Sequence, residues 1–278
     1  MGRRTLPPSV DGPVHGARRA RNRDGGYRAA VVEHSTGANS AEPDRSGRTS
    51  AVTPTVFAAV LAACAGAVDA ICFDRVFGVF PANQSGNAVL LGIGIGSERG
   101  SDVWRPALAI AGFALGVAVA ILLGSRLPRR RRPDVLLAIE IALLVPLAIV
   151  LTTTEHPRTE LDDPATFVLL LLTCAAMGIQ TEVIGRAAGV VVATTYQSGA
   201  IVRIAELTTG TDRAGRPPSL AARSVAVLTV VLGAYVGGAA LGAALGSWSA
   251  SLFVPIGMLV VVGVVLVTTP SADPPPGA

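Results

Sequence analysis

Long apolar segments are the feature that most constrains how this chain can fold. Six segments approach the roughly 20 residues that cross a hydrocarbon core of about 30 Å. They run over residues 55–73, 105–125, 134–152, 165–183, 223–246 and 252–269. Only 15% of the residues are charged and the mean hydropathy is +0.54, whereas a soluble domain carries about 25% charged residues. The pattern predicts an all-helical integral membrane protein with six transmembrane helices.

Two further apolar segments are shorter and more polar. Residues 77–96 contain Pro81 and several glycines, and residues 187–202 contain Gly189 and Gly199. Irregular backbone at membrane depth occurs only where it is buried in protein or lines a water-filled cavity. We therefore predict two short re-entrant or broken helices in addition to the six spans.

The two ends of the chain are polar and predict tails on either side of a membrane domain. Residues 1–54 are rich in arginine and lack apolar periodicity, and residues 271–278 are rich in proline. Both are predicted to be disordered, because such segments bury too little apolar surface to offset the entropy of ordering. The transmembrane domain is then 55–270, with halves at about 55–152 and 165–269.

Arginine placement predicts the orientation in the membrane. The net charge of +4 comes from the tail, since residues 1–50 hold nine Arg against five acids and the rest holds fourteen of each sign; nucleic acid is not an expected partner. Short Arg-rich segments stay cytoplasmic. Six crossings place the tail, residues 126–132 and residues 203–223 inside, and the acidic residues 153–164 outside. Both termini are therefore predicted to be cytoplasmic, whereas eight crossings would place a basic segment outside.

The two halves share one order of long, short, long and long segments. Similar residues recur 112 or 113 positions apart: Ala63 and Gly66 as Ala175 and Gly178, and Gln84-Ser85-Gly86 as Gln197-Ser198-Gly199. Because each half holds three crossings, a duplicated half must be inverted. Inverted repeats with discontinuous helices are a recurrent architecture of secondary transporters, so an inverted repeat is predicted here.

Polar side chains concentrate in the two broken segments. They are Asn83, Gln84, Ser85 and Asn87 in the first, and Thr194, Thr195, Tyr196, Gln197 and Ser198 in the second. Two interpretations stay open. These groups bind a small polar solute or an ion, or they satisfy one another as contacts between helices.

Three carboxylates fall within the apolar segments, where an ionisable residue is a functional candidate by default. Asp69 is the strongest candidate, and its alternative role is an ion pair with Arg75. Glu182 precedes Arg186 by four residues, which favours a helical ion pair. Glu140 lies close to the Arg cluster in sequence and is predicted to reach the headgroup region.

Glycines at intervals of four residues predict close helix packing. They are Gly112 and Gly116, then Gly233 and Gly237, and then Gly238, Gly242 and Gly246. Packing within one chain is the favoured interpretation. A seam between copies, in a homo-oligomer, is the alternative.

Sequence motifs of soluble enzymes and of metal sites are missing from the sequence. The three cysteines (Cys64, Cys72 and Cys174) lie in apolar runs without the spacing of a zinc site. The three histidines lie in tails or loops, and no nucleotide-binding glycine loop is present. No catalytic residue, metal or cofactor is predicted, and an enzyme is not expected.

Two ordered motifs, one in each half, resemble those of a known family. The first comprises Ala65-Gly66-Ala67-Val68-Asp69-Ala70 and Val79-Phe80-Pro81-Ala82-Asn83-Gln84-Ser85-Gly86-Asn87. The second comprises Ala176-Met177-Gly178-Ile179-Gln180, then Ala193-Thr194-Thr195-Tyr196-Gln197-Ser198-Gly199, and Arg203. Over residues 55–268 the chain resembles the YoaK family of bacterial inner-membrane proteins, which implies that location and names no substrate. The chain has Ser85 where the family usually has Thr, and Thr181-Glu182 where it usually has Asn-Ala.

These observations predict translocation of a small polar solute or ion across the lipid bilayer. The predicted site comprises Asp69, Asn83, Asn87, Gln180, Thr194, Thr195, Tyr196 and Arg203. The alternative is a non-transporting membrane scaffold whose polar motifs are structural. A polar cavity that reaches both broken segments would favour transport.

Overall fold

The structure is a bundle of helices, seen in a computed structural model that describes residues 46–97, 103–128, 131–157, 163–187, 197–210 and 218–268. Its helices are α1 (Ser46–Ile71), α2 (Gln84–Gly96), α3 (Trp104–Arg126), α4 (Arg132–Thr153), α5 (Asp163–Ala187), α6 (Gln197–Thr208), α7 (Pro218–Ala244) and α8 (Phe253–Thr268). A π-helical turn, Cys72–Val76, continues α1. The predicted all-helical membrane class is confirmed. The predicted tails lie outside the described residues, except that α1 begins at Ser46, ahead of the predicted boundary at 55.

Five helical segments are long and apolar enough to cross a membrane. They are Pro54–Val76, Trp104–Arg126, Arg132–Thr153, Pro164–Val183 and Pro218–Ala244. The sixth predicted span corresponds to α8, whose 16 residues extend about 24 Å. This length is less than a hydrocarbon core of about 30 Å. The predicted count of six therefore depends on how α8 meets the bilayer.

Two helices are clearly shorter than a span. Helix α2 has 13 residues and α6 has 12, or about 20 and 18 Å. The first predicted broken segment began at residue 77, but its helix begins at Gln84. The second was predicted over 187–202, but its helix runs over Gln197–Thr208, and residues 188–196 lie outside the described residues.

Helices α1 and α5 form the centre of the bundle. Helix α1 packs against α5, α7 and α8, and α5 packs against α3 and α4 as well. Their apolar windows are 61% and 67% buried, against 28% for α3 and 22% for α7. The more exposed faces of α3 and α7 are rich in apolar side chains, as expected of helix surfaces that meet lipid.

Two helix pairs, α1 with α7 and α3 with α5, have the closest backbone contacts. A Cβ atom at Gly238 of α7 would overlap the carbonyl of Ala63 on α1. A Cβ atom at Gly116 of α3 would overlap the carbonyl of Ala175 on α5. The predicted packing role of these glycines is confirmed. It is wrong for Gly233 and Gly237, which have open space around them.

Candidate functional site

A reversal of the chain after α1 creates the first broken segment. The π-helical turn ends with Phe77 N–H donating to the carbonyl of Cys72 over 2.8 Å. Gly78 follows with φ of +70°, a left-handed conformation that L side chains disfavour. The Phe80 ring then stacks on the Phe73 ring with centroids 4.4 Å apart. The backbone therefore runs back along the helix it has just left.

Asp69 holds the returning segment against the bundle. Its Oδ1 accepts the Ala82 N–H over 2.6 Å, and its Oδ2 accepts the Tyr235 hydroxyl of α7 over 2.5 Å. The carboxylate is 2% exposed. Arg75 donates instead to the Trp248 carbonyl (2.8 Å), so the alternative of an ion pair between Asp69 and Arg75 is wrong. Asp69 connects α1, α7 and the re-entrant segment.

The depth of this segment follows from the helical rise. Asp69 lies seven residues before Val76, the end of the π-helical turn, which corresponds to about 10 Å. Helix α2 starts at this level, with its N-terminus next to the Asp69 carboxylate. The partial positive charge of a helix N-terminus is stabilised by an anion. The geometry is that of a re-entrant hairpin with a non-helical leg and a helical leg.

Two asparagines close the hairpin with hydrogen bonds. Asn83 is the N-cap of α2, and its Oδ1 accepts Gly86 N–H (3.2 Å) and Ser85 Oγ–H (2.8 Å). The fully buried Asn87 accepts Phe80 N–H over 2.9 Å and donates to the Phe80 carbonyl over 2.6 Å. The predicted site residues Asp69, Asn83 and Asn87 are therefore adjacent, and their polar atoms bind the protein's own backbone.

A second polar cluster lies between α1, α4 and α5. Glu140 of α4 is 0% exposed and Gln180 of α5 is 1% exposed, and both lie near Cys64 of α1. Both carboxylate oxygens of Glu140 and the Nε2 of Gln180 lack a hydrogen bond of normal geometry, although the Gln180 side chain is close enough to act on the carboxylate. The prediction that Glu140 reaches the headgroup region is wrong. Proximity to the Arg cluster along the sequence did not reveal that this helix face points inward.

Arg203 is the remaining predicted site residue that the structure describes, and it pairs with a residue of its own helix. Arg203 of α6 is 30% exposed and pairs with Glu206 over 2.8 Å. Thr194, Thr195 and Tyr196 lie outside the described residues, as does the Arg186 side chain predicted to pair with Glu182. Within the described part of the chain, no group of three or more His, Cys, Asp or Glu side chains could hold a metal ion.

A groove of about 330 Å³ lies between α4 and α8 and does not involve the re-entrant segment. Its lining is mostly apolar and comprises Asp134, Leu137, Ala138, Ile141, Val260, Gly263, Val264, Val267 and Thr268. A polar cavity that reaches both broken segments stays a prediction.

Sequence reasoning missed Tyr235 as a partner of Asp69. A signal was available, because Tyr235 is a lone hydroxyl-bearing aromatic residue within the apolar helix α7. A buried tyrosine hydroxyl usually finds a hydrogen-bond partner. The carboxylate of Asp69, 166 positions earlier, was the strongest acceptor predicted in the spans.

The chain is similar to known membrane proteins. The family described as protein of unknown function (DUF1275) matches residues 57–265. The UPF0700 transmembrane protein YoaK of Bacillus subtilis (strain 168) is 27% identical over 161 residues, which cover 57% of this chain and 68% of the relative. No solved structure matches. The predicted relationship is confirmed: this multi-pass membrane protein belongs to the DUF1275 family, with YoaK among its relatives.

Proposed function

We propose that the protein translocates a small polar solute or ion, using two inverted halves that pack around α1 and α5. The observation that carries this proposal is the equivalence of the two closest helix pairs. Helix α1 is the first span of one half and α7 is the second span of the other. Helices α5 and α3 stand in the same relation with the halves exchanged.

The contacts of these two pairs correspond residue by residue. Gly66 of α1 lies against the backbone of Tyr235 and Ala239, and Gly178 of α5 lies against the backbone of Phe113 and Val117. Gly66 and Gly178 are 112 positions apart, and the two pairs of facing residues are each 122 positions apart. A repeat whose halves hold three crossings each would generate this correspondence by inversion.

The re-entrant hairpin is the second support for transport. Discontinuous helices near the middle of the membrane form the binding sites of many inverted-repeat transporters. In this chain the N-terminus of α2 lies at the depth of Asp69, next to the central helix pair. The proposed substrate site lies between this end of α2 and the start of α6.

The orientation that accompanies this proposal has both termini on the cytoplasmic side of a bacterial inner membrane. The segments with an Arg excess then lie inside, which is the statistical preference of short loops. The structure adds one compatible feature. Arg75, at the opposite end of α1 from the basic tail, donates to the α7–α8 link at Trp248, which is predicted to be external.

A scaffold without transport activity is the second candidate. The observation in its favour is that Asp69, Asn83 and Asn87 use their polar atoms to bind the protein's own backbone. A substrate that bound to these groups would have to displace hydrogen bonds that already exist. The scaffold hypothesis predicts no saturable ligand.

A thermal-shift screen of the purified protein separates the two functions. The probes are amino acids, sugars, carboxylates and mono- and divalent ions, each added to protein in detergent micelles. A ligand at about 100 times its Kd stabilises the folded state by about 2.7 kcal/mol, so a true substrate should raise the melting temperature saturably. Each hit is then tested for flux into proteoliposomes.

The matched variants for this screen are Ser198→Ala and Ser224→Ala. Ser198 lies at the start of α6, within the proposed site, whereas Ser224 is half-buried on α7, where its hydroxyl donates to the Leu220 carbonyl. The substrate-induced shift should weaken in Ser198→Ala and persist in Ser224→Ala. Absence of any saturable shift and of any flux across the panel would reject transport in favour of the scaffold.

A further inference from the structure

The buried cluster of Glu140 and Gln180 has unused hydrogen-bonding capacity. An unpaired carboxylate is among the costliest groups to bury in an apolar interior, and the large majority of buried polar side-chain atoms have a partner. Yet neither oxygen of Glu140 accepts a hydrogen bond of normal geometry, and the neighbouring Gln180 side chain approaches the carboxylate without forming one. This contrasts with Asp69, five residues beyond Cys64 on α1, which accepts from both Ala82 and Tyr235.

The surroundings of Glu140 restrict the ligand that could use this capacity. Its neighbours on α4 include Leu136, Leu137 and Leu144, all at most 1% exposed. A magnesium or calcium ion requires about six or more oxygen ligands, and Glu140 with the Gln180 amide oxygen provides three. A proton requires one carboxylate oxygen and no coordination shell. It also removes the charge that burial penalises.

Few titratable groups face Glu140 from the helices around it. Cys64 of α1 is the titratable neighbour, and Cys174 of α5 lies toward Asp69 instead. Helix α8 carries no titratable residue over Phe253–Thr268. The ionisable residues of α3, Arg105 and Arg126, are near its ends. Glu182 of α5 and Asp134 of α4 are half-buried and lie two residues from Gln180 and six from Glu140, respectively.

We propose that Glu140 is an exchangeable proton-binding site at the centre of the bundle and that Gln180 is its positioning residue. When a proton binds, one oxygen of Glu140 forms a new O–H bond and the carboxylate charge is neutralised. The proton leaves as the same bond breaks. This site is separate from the re-entrant hairpin that Asp69 holds, and a role in coupling protons to solute movement would rest on the proposed function.

The test measures the protonation state of Glu140 in the full-length protein in lipid nanodiscs. Dicyclohexylcarbodiimide reacts with protonated carboxyl groups in apolar surroundings, and peptide mass spectrometry reports the modified residue. We expect modification of Glu140 at acidic pH that falls at least tenfold as pH rises. Glu140→Gln should be unmodified at this position.

Variants of Gln180 test its role through the pH at which Glu140 modification falls. A purely structural role of Gln180 would not change this pH. Gln180→Leu should keep the modification of Glu140 but change the pH at which it falls by roughly one unit or more, because the amide dipole no longer acts on the carboxylate. Gln180→Glu is the isosteric comparison and should change this pH as well. An unchanged pH profile in both variants would overturn the role of Gln180.

Infrared difference spectra of wild type and Glu140→Gln provide a second measurement that does not depend on reagent access. The carbonyl band of a protonated Glu140 should be present at acidic pH and disappear as pH rises. A band present at every pH, or at none, overturns exchange. Loss of the band on adding sodium chloride at constant pH, with potassium chloride as control, overturns the proton in favour of a sodium site.

Neither measurement requires a transported solute. A pH-dependent Glu140 in a protein without flux would refute the proposed function alone. Flux without a pH-dependent Glu140 would refute the proton site alone.

Discussion

At the scale of single residues, the buried carboxylates Asp69 and Glu140 differ in what surrounds them. Asp69 accepts hydrogen bonds from Ala82 and Tyr235, whereas Glu140 accepts none of normal geometry and has only the Gln180 side chain close by. Sequence alone could predict that a carboxylate lies within a span in both cases. It could not predict the partners, because Tyr235 is 166 positions from Asp69 and only tertiary packing brings them together.

The partners of Asp69 predict a stability effect for Asp69→Asn. An asparagine side chain offers one acceptor oxygen and one amide donor, so either the Ala82 N–H or the Tyr235 hydroxyl loses its acceptor. A buried donor left unsatisfied costs about 1–3 kcal/mol. The melting temperature in detergent should therefore fall. Asp74→Asn is the control, because Asp74 is exposed near the same end of α1, and an equal loss in both variants would contradict the assigned role.

Glu140 should respond in the opposite direction when its charge is removed. Burial of a carboxylate without a well-formed hydrogen bond is costly, and an apolar side chain of similar volume does not carry this cost. Glu140→Met should therefore leave the melting temperature unchanged or raise it. Leu144→Ala, at an equally buried position of α4, should lower it by removing packing. A clear loss of stability in Glu140→Met would indicate that the carboxylate has a structural partner.

At the scale of helices, the re-entrant segment illustrates what composition can and cannot predict. Pro81, the glycines and the amides indicated an interrupted helix. They did not indicate that the interruption is an irregular leg up to Asn83 followed by a regular helix. That arrangement depends on the left-handed Gly78 and on Phe80 stacking against Phe73. A conformation fixed by one dihedral angle and one tertiary contact leaves no periodic pattern in the sequence.

The turn at Gly78 makes a prediction about this hairpin. A left-handed backbone costs roughly 1–2 kcal/mol for a residue with a Cβ atom, so Gly78→Ala should lower the melting temperature and increase protease cleavage near the turn. Gly92→Ala is the matched control on α2, where a Cβ atom would meet open space. That change should be neutral or slightly stabilising, because alanine favours helices. Equal behaviour of the two variants would contradict the role of the turn.

The glycine contacts of the α1–α7 and α3–α5 pairs, here called the glycine seams, make a second prediction at this scale. Gly238→Ala and Gly116→Ala each place a methyl group against a backbone carbonyl of the facing helix. Close approach is a main source of helix association in lipid, so both variants should lose stability by similar amounts. Gly237→Ala, one residue from Gly238 with open space around it, should not. A stable Gly116→Ala beside an unstable Gly238→Ala would mean that the two seams are not equivalent.

At the scale of the whole molecule, the length of the apolar segments predicted the membrane class. Which helices pack against each other could be learned only from the structure. The apolar runs marked the spans closely, as with the run 105–125 and the helix Trp104–Arg126. The sequence order alone would favour contacts between chain neighbours such as α3 and α4, yet α1 packs on α7 and α3 on α5. Small residues on the facing surfaces allow these pairs to pack closely. The pairs can be recognised only when both facing surfaces are known.

The proposed topology predicts which loops are accessible from each side of the membrane. In a background with Cys64, Cys72 and Cys174 replaced by alanine, single cysteines are introduced at Glu155, Ser249 and Thr208, which are exposed in the structure. An impermeant thiol reagent applied to intact cells should label positions 155 and 249. Position 208 should react only after permeabilisation, because the adjacent segment carries the Arg residues expected in the cytoplasm.

The same experiment distinguishes the six-span topology from its alternatives. If α2 and α6 both crossed the membrane, α4 and α5 would be reversed, and position 155 would be labelled only after permeabilisation. If α8 failed to cross, positions 155 and 249 would still be external, but a cysteine at Thr268, the exposed end of α8, would be labelled in intact cells. With six spans, position 268 is protected. External labelling of position 208 would contradict the proposed orientation. Protection of position 155 together with labelling of position 249 would contradict the inversion of the second half on which the transport proposal rests.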